Sequence, residues 1–341
     1  MNKVNIFVAM TVHEPALEKV RALLPPDAVI EITPLTAEPE PVPAEKLRNK
    51  QIMFCEYPPT NFEDMTELKW MQLSSVGFEH LYRLSLPDKG IRACNARGVF
   101  DVPIAEWCIA MMVNLTRDLP GMFRNQQQRV WDRDARFQAE IRGATVGIWG
   151  YGGIGRETAR LAKCFDLKVW ALDIAPPGRR DRVYRVPGTG DPDGTLPDRA
   201  FLPEQRFEFL SGLDYLVLTM PLTPKTRGII GAKELAALPK SACVLNPARG
   251  PLMEEAALVD ALRNRRIKGA ALDAHYYYPL PPDHPLWSME NVIITPHISG
   301  SDSSTRFTER NWEVFAENIR RFLAGELLLN ELTPQELRGE V

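Results

Sequence analysis

One stretch constrains this chain more than any other. The turn Gly150-x-Gly152-x-x-Gly155 follows the apolar run Ala144 to Trp149 and leads into a helical pattern reaching about Phe165. A second apolar run, Leu167 to Leu172, ends on Asp173. Strand, glycine turn, helix, strand and acid in that order describe a βαβ unit. Such a turn lets the backbone approach a pyrophosphate whose charge sits at a helix N-terminus. Gly150, Gly152, Ile154 and Gly155 therefore read as a phosphate-binding turn, and the Asp173 carboxylate as an acceptor for a ribose diol. An acid at that position repels a 2′-phosphate. The expected cofactor is NAD, a preference that Arg179 and Arg180 close behind would soften.

Length and composition bound the rest. A chain of 341 residues, 45% apolar, is long enough for two domains with sizeable cores. A net charge of −3 gives no bulk attraction for nucleic acid or a membrane surface. No apolar run approaches the length of a membrane span, and Met1 to Thr11 reads as a short strand rather than a signal peptide. Cys55, Cys94, Cys108, Cys164 and Cys243 are odd in number and scattered, as expected for reduced residues of a cytoplasmic protein. Their spacing matches no metal site.

Residues 4 to 95 alternate apolar runs (Val4–Ala9, Val29–Ile32, Ile52–Cys55, Trp70–Leu73 and Ile91–Cys94) with amphipathic stretches, which predicts a parallel sheet. Pro103 opens a long helical region running towards Trp131. A second series of strands follows, at 144–149, 167–172, 214–219, 242–246, 269–272 and 292–295. The stretch Pro176 to Pro203 is rich in Pro, Gly, Asp and Arg and reads as an extended loop. A last helix, about Ser303 to Leu323, puts Trp312, Phe315, Ile319 and Phe322 on one face. If it packs back on the first domain, that domain comprises 1–101 with 302–341, the cofactor domain comprises 102–301, and the chain crosses twice beside an interdomain cleft.

Three segments leave strand ends of the second series, at the edge where open parallel sheets bind ligands. Asn246-Pro247-Ala248-Arg249-Gly250 offers a planar guanidinium to a carboxylate. Gly269 to Pro279 carries Asp273, His275 and three tyrosines. Thr295-Pro296-His297-Ile298-Ser299-Gly300 places an imidazole at a strand end. With Ser75-Val76-Gly77 and the loop from Pro221 through Thr226 to Gly228, these segments resemble the D-isomer-specific 2-hydroxyacid dehydrogenase family over most of the chain.

The resemblance implies two Rossmann-like α/β domains with parallel sheets, the substrate domain flavodoxin-like, and NAD-linked interconversion of a 2-keto and a 2-hydroxy acid. It implies that Arg249 grips and polarises the substrate and that His297 exchanges the proton. Amides near Ser75, Val76 and Gly77 would hold the carboxylate, and Asp273 would face the nicotinamide end. Pro221, Thr226, Pro247, Ala248 and Gly300 would line the cofactor. It also implies a homodimer built on the region after residue 100, for which Met111, Met112, Leu115, Leu119, Met122 and Phe123 offer apolar surface.

One position departs from the family pattern. Tyr278 stands where a Glu usually pairs with the His and raises its pKa. A phenol orients an imidazole but holds no charge against it at neutral pH. Asp283 and Glu290 lie further along the sequence. The departure leaves two alternatives: an impaired NAD-binding sensor or interaction protein, and hydride transfer without substrate proton transfer, as in formate dehydrogenases. Phe100 replaces the asparagine of the latter group.

Overall fold

The computed structural model describes residues 4–33 and 39–340, so the first three residues of the N-terminal strand expectation lie outside it. The chain divides into two compact units. One comprises Met1–Val99, Asp181–Arg185 and Asp302–Val341, the other Phe100–Arg180 and Val186–Ser301.

The first unit is built on β1 (Ile6–Ala9), β2 (Ile30–Thr33), β3 (Ile52–Cys55), β4 (Trp70–Leu73) and β5 (Arg92–Cys94), all parallel in the order β2-β1-β3-β4-β5. That is the flavodoxin-like order. The inner strands β1 and β3 are short continuous apolar runs because both faces of the sheet are covered. One cover is the helix Thr305–Ala324, capped by the Ser304 hydroxyl accepting from the Phe307 amide. Trp312, Phe315 and Ile319 are buried on it, and Phe315 stacks on Phe54 of β3 with centroids 4.5 Å apart.

The second unit holds β6 (Thr145–Trp149), β7 (Lys168–Leu172), β8 (Arg199–Phe201), β9 (Tyr215–Leu218), β10 (Cys243–Asn246), β11 (Gly269–Leu272) and β12 (Val292–Ile294). Their order is β12-β11-β10-β9-β6-β7-β8, all parallel. It is the doubly wound order, and its switch point falls between β6 and β9. Residues alternate between faces: Val146 and Ile148 join Cys108 and Met112 on one side, and Trp149 joins Phe209 and Leu218 on the other.

Three expectations need correction. The stretch 176–203 is not wholly extended, since its Arg199–Phe201 forms the edge strand β8 beside β7. Its residues Asp181–Arg185 belong to the first unit, so the chain passes between units four times rather than twice. They are fixed there by Asn330, whose Oδ1 accepts the Tyr184 amide at 3.0 Å, and by Gly98, where a Cβ would lie 2.1 Å from the Tyr184 carbonyl oxygen.

The long helical region is two helices, Asp101–Arg117 and Leu119–Gln128, broken where Asp118 takes a left-handed conformation and caps the second through the Gly121 amide. Met112 and Leu115 are buried in their own unit's core, with Met111 packed against it, because the stripe Ile104, Cys108, Met112, Leu115 faces the sheet. The exposed apolar groups lie further on, at Phe123, Val130 and Trp131.

Candidate active site

The glycine turn sits at the switch point, and each glycine has its own reason. Gly150 has φ +102°, and a Cβ there would stand 2.6 Å from the Met220 amide beyond β9. Gly155 opens the helix Gly153–Cys164, where a Cβ would meet the Gly150 carbonyl oxygen at 2.4 Å, so helix and strand pack closely. Gly152 is different: its nearest neighbour in that direction is the Arg180 Nη1, 3.6 Å away. One glycine makes the turn, one lets helix and strand touch, and one leaves open approach for a phosphate. Ile154 packs against the core behind. Asp173, at the end of β7, accepts the Tyr151 amide at 2.6 Å and the Ile174 amide at 2.7 Å, which brings its carboxylate to the turn. These residues fit a dinucleotide.

Three strand ends of the same sheet are knitted together beside it. After β10, Asn246 shapes the turn by accepting the Ala248 amide at 3.1 Å and donating to the Arg249 carbonyl at 2.9 Å. Pro247 is buried within this turn, and the half-buried Arg249 side chain donates from Nη1 to the Ala248 carbonyl. Gly250 passes so close to the next segment that a Cβ would lie 2.3 Å from the His275 carbonyl carbon. After β11, the His275 amide donates to the Tyr278 hydroxyl at 3.1 Å, and the His275 ring donates from Nε2 to the Thr295 carbonyl at 2.8 Å. After β12, His297 is exposed with φ +58°, and its ring centroid lies 5.3 Å from that of Tyr278.

Residues 109–299 match the family described as D-isomer specific 2-hydroxyacid dehydrogenase, NAD binding domain. The chain belongs to the D-isomer specific 2-hydroxyacid dehydrogenases. It is 32% identical to a glyoxylate reductase of Thermofilum pendens, over 76% of this chain and 73% of that one. It is 31% identical to a D-3-phosphoglycerate dehydrogenase of Methanocaldococcus jannaschii over 82% of this chain, and spans only about half (51%) of that relative. A Xanthobacter autotrophicus D-isomer specific 2-hydroxyacid dehydrogenase solved with NADPH and MES superposes with TM-score 0.74 at 26% identity, covering 99% of this chain and all (100%) of that one.

Within this dehydrogenase fold, Asp273 directly follows β11. It is fully buried, and its carboxylate accepts the Thr295 hydroxyl at 2.5 Å, the Ser299 hydroxyl at 2.5 Å, and the Ile298 and Ser299 amides at 3.0 Å each. Four donors fill its acceptor sites, so the side chain holds the His297 loop. Gly300 closes that loop against the Phe100 ring, where a Cβ would come within 2.8 Å. Thr226 closes the loop after β9, its hydroxyl donating to the Pro221 carbonyl at 2.7 Å. Glu290 precedes β12 and His297 follows it, which puts the two at opposite ends of the strand.

In the other unit, the segment after β4 turns its carbonyls inward. Ser75 O accepts the Ala96 amide at 2.9 Å, Val76 O accepts from Asn95 at 2.9 Å, and Gly77 O accepts the Ser75 hydroxyl at 2.8 Å. Because a trans peptide sets N–H opposite C=O, the Val76 and Gly77 amides point away from those partners.

Sequence reasoning overlooked the residues that support the glycine turn. Arg156 donates from Nε to the Tyr151 carbonyl at 3.1 Å, from Nη2 to the Gly178 carbonyl at 2.8 Å and from Nη1 to the Asp191 carbonyl. The Tyr151 hydroxyl donates to Asp191 Oδ2 at 2.7 Å. Burial opposes ionisation of Asp191, but the bonds from Tyr151 and the Leu196 and Thr195 amides outweigh it and hold the carboxyl below its usual range. Burial, then the Asp191 charge, raises the Tyr151 phenol.

Proposed function

We propose that this chain interconverts a small 2-keto acid and its D-2-hydroxy acid, with NAD preferred over NADP. The observation that carries the reading is the joining of the Arg249 turn, Tyr278 and His297 at the carboxyl edge of the sheet whose switch point bears the glycine turn. The nicotinamide, when bound, supplies or accepts the hydride. Arg249 binds the carboxylate and polarises the adjoining carbonyl, and the Ser75, Val76 and Gly77 amides of the first unit are donors suited to a carboxylate. His297 in its charged form gives a proton to the carbonyl oxygen during reduction, and in its neutral form takes one during oxidation. The Asp173 carboxylate supports the preference for NAD, by accepting a ribose diol and repelling a 2′-phosphate.

The test is turnover of glyoxylate, hydroxypyruvate, pyruvate and phenylpyruvate with NADH and NADPH across pH, alongside fluorescence titration of both cofactors. Reduction of at least one acid, with NADH favoured, supports the reading. Tight NADH binding without turnover of any would favour a sensing role. The exposed side chains of Phe123, Val130 and Trp131 support a homodimer centred on the helix Leu119–Gln128 and the residues just beyond its C-terminus. A monomer by light scattering at micromolar concentration overturns the dimer.

A further inference from the structure

The stretches 176–180 and 186–196 form a built appendage on the cofactor turn. Its two arms cross so tightly that a Cβ on Gly194 would stand 2.5 Å from the Gly178 amide. Arg156 binds it to the helix Gly153–Cys164, Asp191 binds it to Tyr151 of the glycine turn, and Glu157 at the first turns of that helix accepts the Gly190 amide at 2.5 Å. One arm carries Arg180, whose amide donates to the Pro192 carbonyl at 3.2 Å. The main chain at Arg180 is thereby fixed, and its guanidinium reaches the open side of Gly152.

Two carboxylates lie near that point. The Asp173 carboxylate binds the Tyr151 amide, and the Asp101 carboxylate lies against Gly153, where a Cβ would come within 2.1 Å of it. Two anions therefore border the seat of a dianionic pyrophosphate. Arg156 is buried behind the turn, and each of its three guanidinium nitrogens donates to a carbonyl of the turn or the appendage. Arg180 is exposed, and among the described residues its guanidinium has no hydrogen bond or ion pair. It stands on the side of the one glycine that leaves room for phosphate.

We infer that Arg180 is a pyrophosphate-binding residue, supplied by the appendage, which grips the diphosphate bridge of the cofactor and does not discriminate between NADH and NADPH. A 2′-phosphate would belong at the ribose end, beside Asp173, whereas Gly152 marks the bridge. A planar fork pairs with phosphate oxygens through charge-assisted bonds. The inference rests on the cofactor assignment above.

The experiment is calorimetric titration of wild type, Arg180→Ala and Arg180→Lys with NADH, NADPH, ADP-ribose and adenosine, at two salt concentrations. Arg180→Ala should weaken NADH, NADPH and ADP-ribose alike by about tenfold, leave adenosine unchanged and flatten the salt dependence. Arg180→Lys should recover part of the loss, and an unchanged thermal midpoint checks that the exposed side chain does not support the fold. NADH affinity within twofold of wild type would overturn the inference. So would a loss confined to NADPH, which would make Arg180 a reader of the 2′-phosphate. If wild type bound none of the dinucleotides, the cofactor assignment itself would fall, and this inference with it.

Discussion

Asp273 holds Ser299 twice, through the amide at 3.0 Å and the hydroxyl at 2.5 Å, from a position with no solvent exposure. The consequence falls on His297, two residues upstream. His297 has a left-handed backbone that a non-glycine residue adopts only where its surroundings impose it. The bonds from Thr295, Ile298 and Ser299 to a single carboxylate supply that constraint, with the Thr295 amide tied to the Leu272 carbonyl at 3.0 Å. A strand-end acid thus sets the shape of the loop that presents the imidazole.

Asp273→Asn should therefore impair both stability and turnover. An amide nitrogen would face donors that the carboxylate now accepts, at a cost of about 2–4 kcal/mol for a buried charged acceptor. The thermal midpoint should drop by roughly 5 °C or more, and kcat should fall with it as the His297 loop loses its shape. A variant with wild-type melting and wild-type kcat would show that the loop holds itself.

Arg249→Ala should remove most turnover while leaving NADH affinity nearly intact. The proposed role puts its guanidinium on the substrate carboxylate and on the carbonyl in the transition state, and the glycine turn does not depend on it. Its own contact within the unit is to the neighbouring Ala248 carbonyl, which carries little of the fold. Less than a tenfold loss in kcat/KM, about 1.4 kcal/mol, would remove Arg249 from the site.

Asp191 gives the appendage a pH dependence. Its carboxyl titrates below the usual range in the folded protein, so its contribution to stability is complete above the unfolded value and is lost as pH falls through the folded one. Asp191→Asn lacks this titration. The gap in thermal midpoint between wild type and Asp191→Asn should be widest near neutral pH and close as the pH falls below the usual carboxylate range. A gap independent of pH would show that the charge of Asp191 does not anchor the appendage.

The elements legible in sequence were those with strong local requirements. The glycine turn was legible because φ at Gly150 and close packing at Gly155 exclude other residues, and the strands because parallel sheets bury both faces. Trp312, Phe315 and Ile319 announced the face of the last helix by spacing alone. What escaped depends on partners distant in sequence. Asp191 looked like one more polar residue of a Pro- and Gly-rich stretch, yet it meets Tyr151 from forty residues away (separation 40). The strand β8 has three residues, and only pairing with β7 makes it a strand. Met112 and Leu115 were apolar on a helix, and sequence did not say that their own sheet already covered them. Asp273 was recognisable as a strand-end acid, but its ligands follow 22 to 26 residues later.

Tyr278 stands where the family resemblance implies a glutamate. Its ring lies beside the His297 imidazole, tilted by 44° with centroids 5.3 Å apart, while its hydroxyl is engaged by the His275 amide. The phenol thus offers His297 an aromatic wall and no negative charge. A carboxylate at this position would stabilise the imidazolium, the form that donates the proton in the proposed keto-acid reduction. Tyr278→Glu should therefore extend reduction to higher pH, moving the falling limb of the reductive profile upwards. Oxidation requires neutral imidazole as the base, so its rising limb should move in the same direction and its rate near neutral pH should fall. Tyr278→Phe separates the two contributions of the side chain, since it keeps the wall and loses the bond to His275. Its limb should stay where the wild-type limb lies. Profiles of wild type and Tyr278→Glu that superimpose in both directions would show that position 278 does not tune the proton exchange of His297.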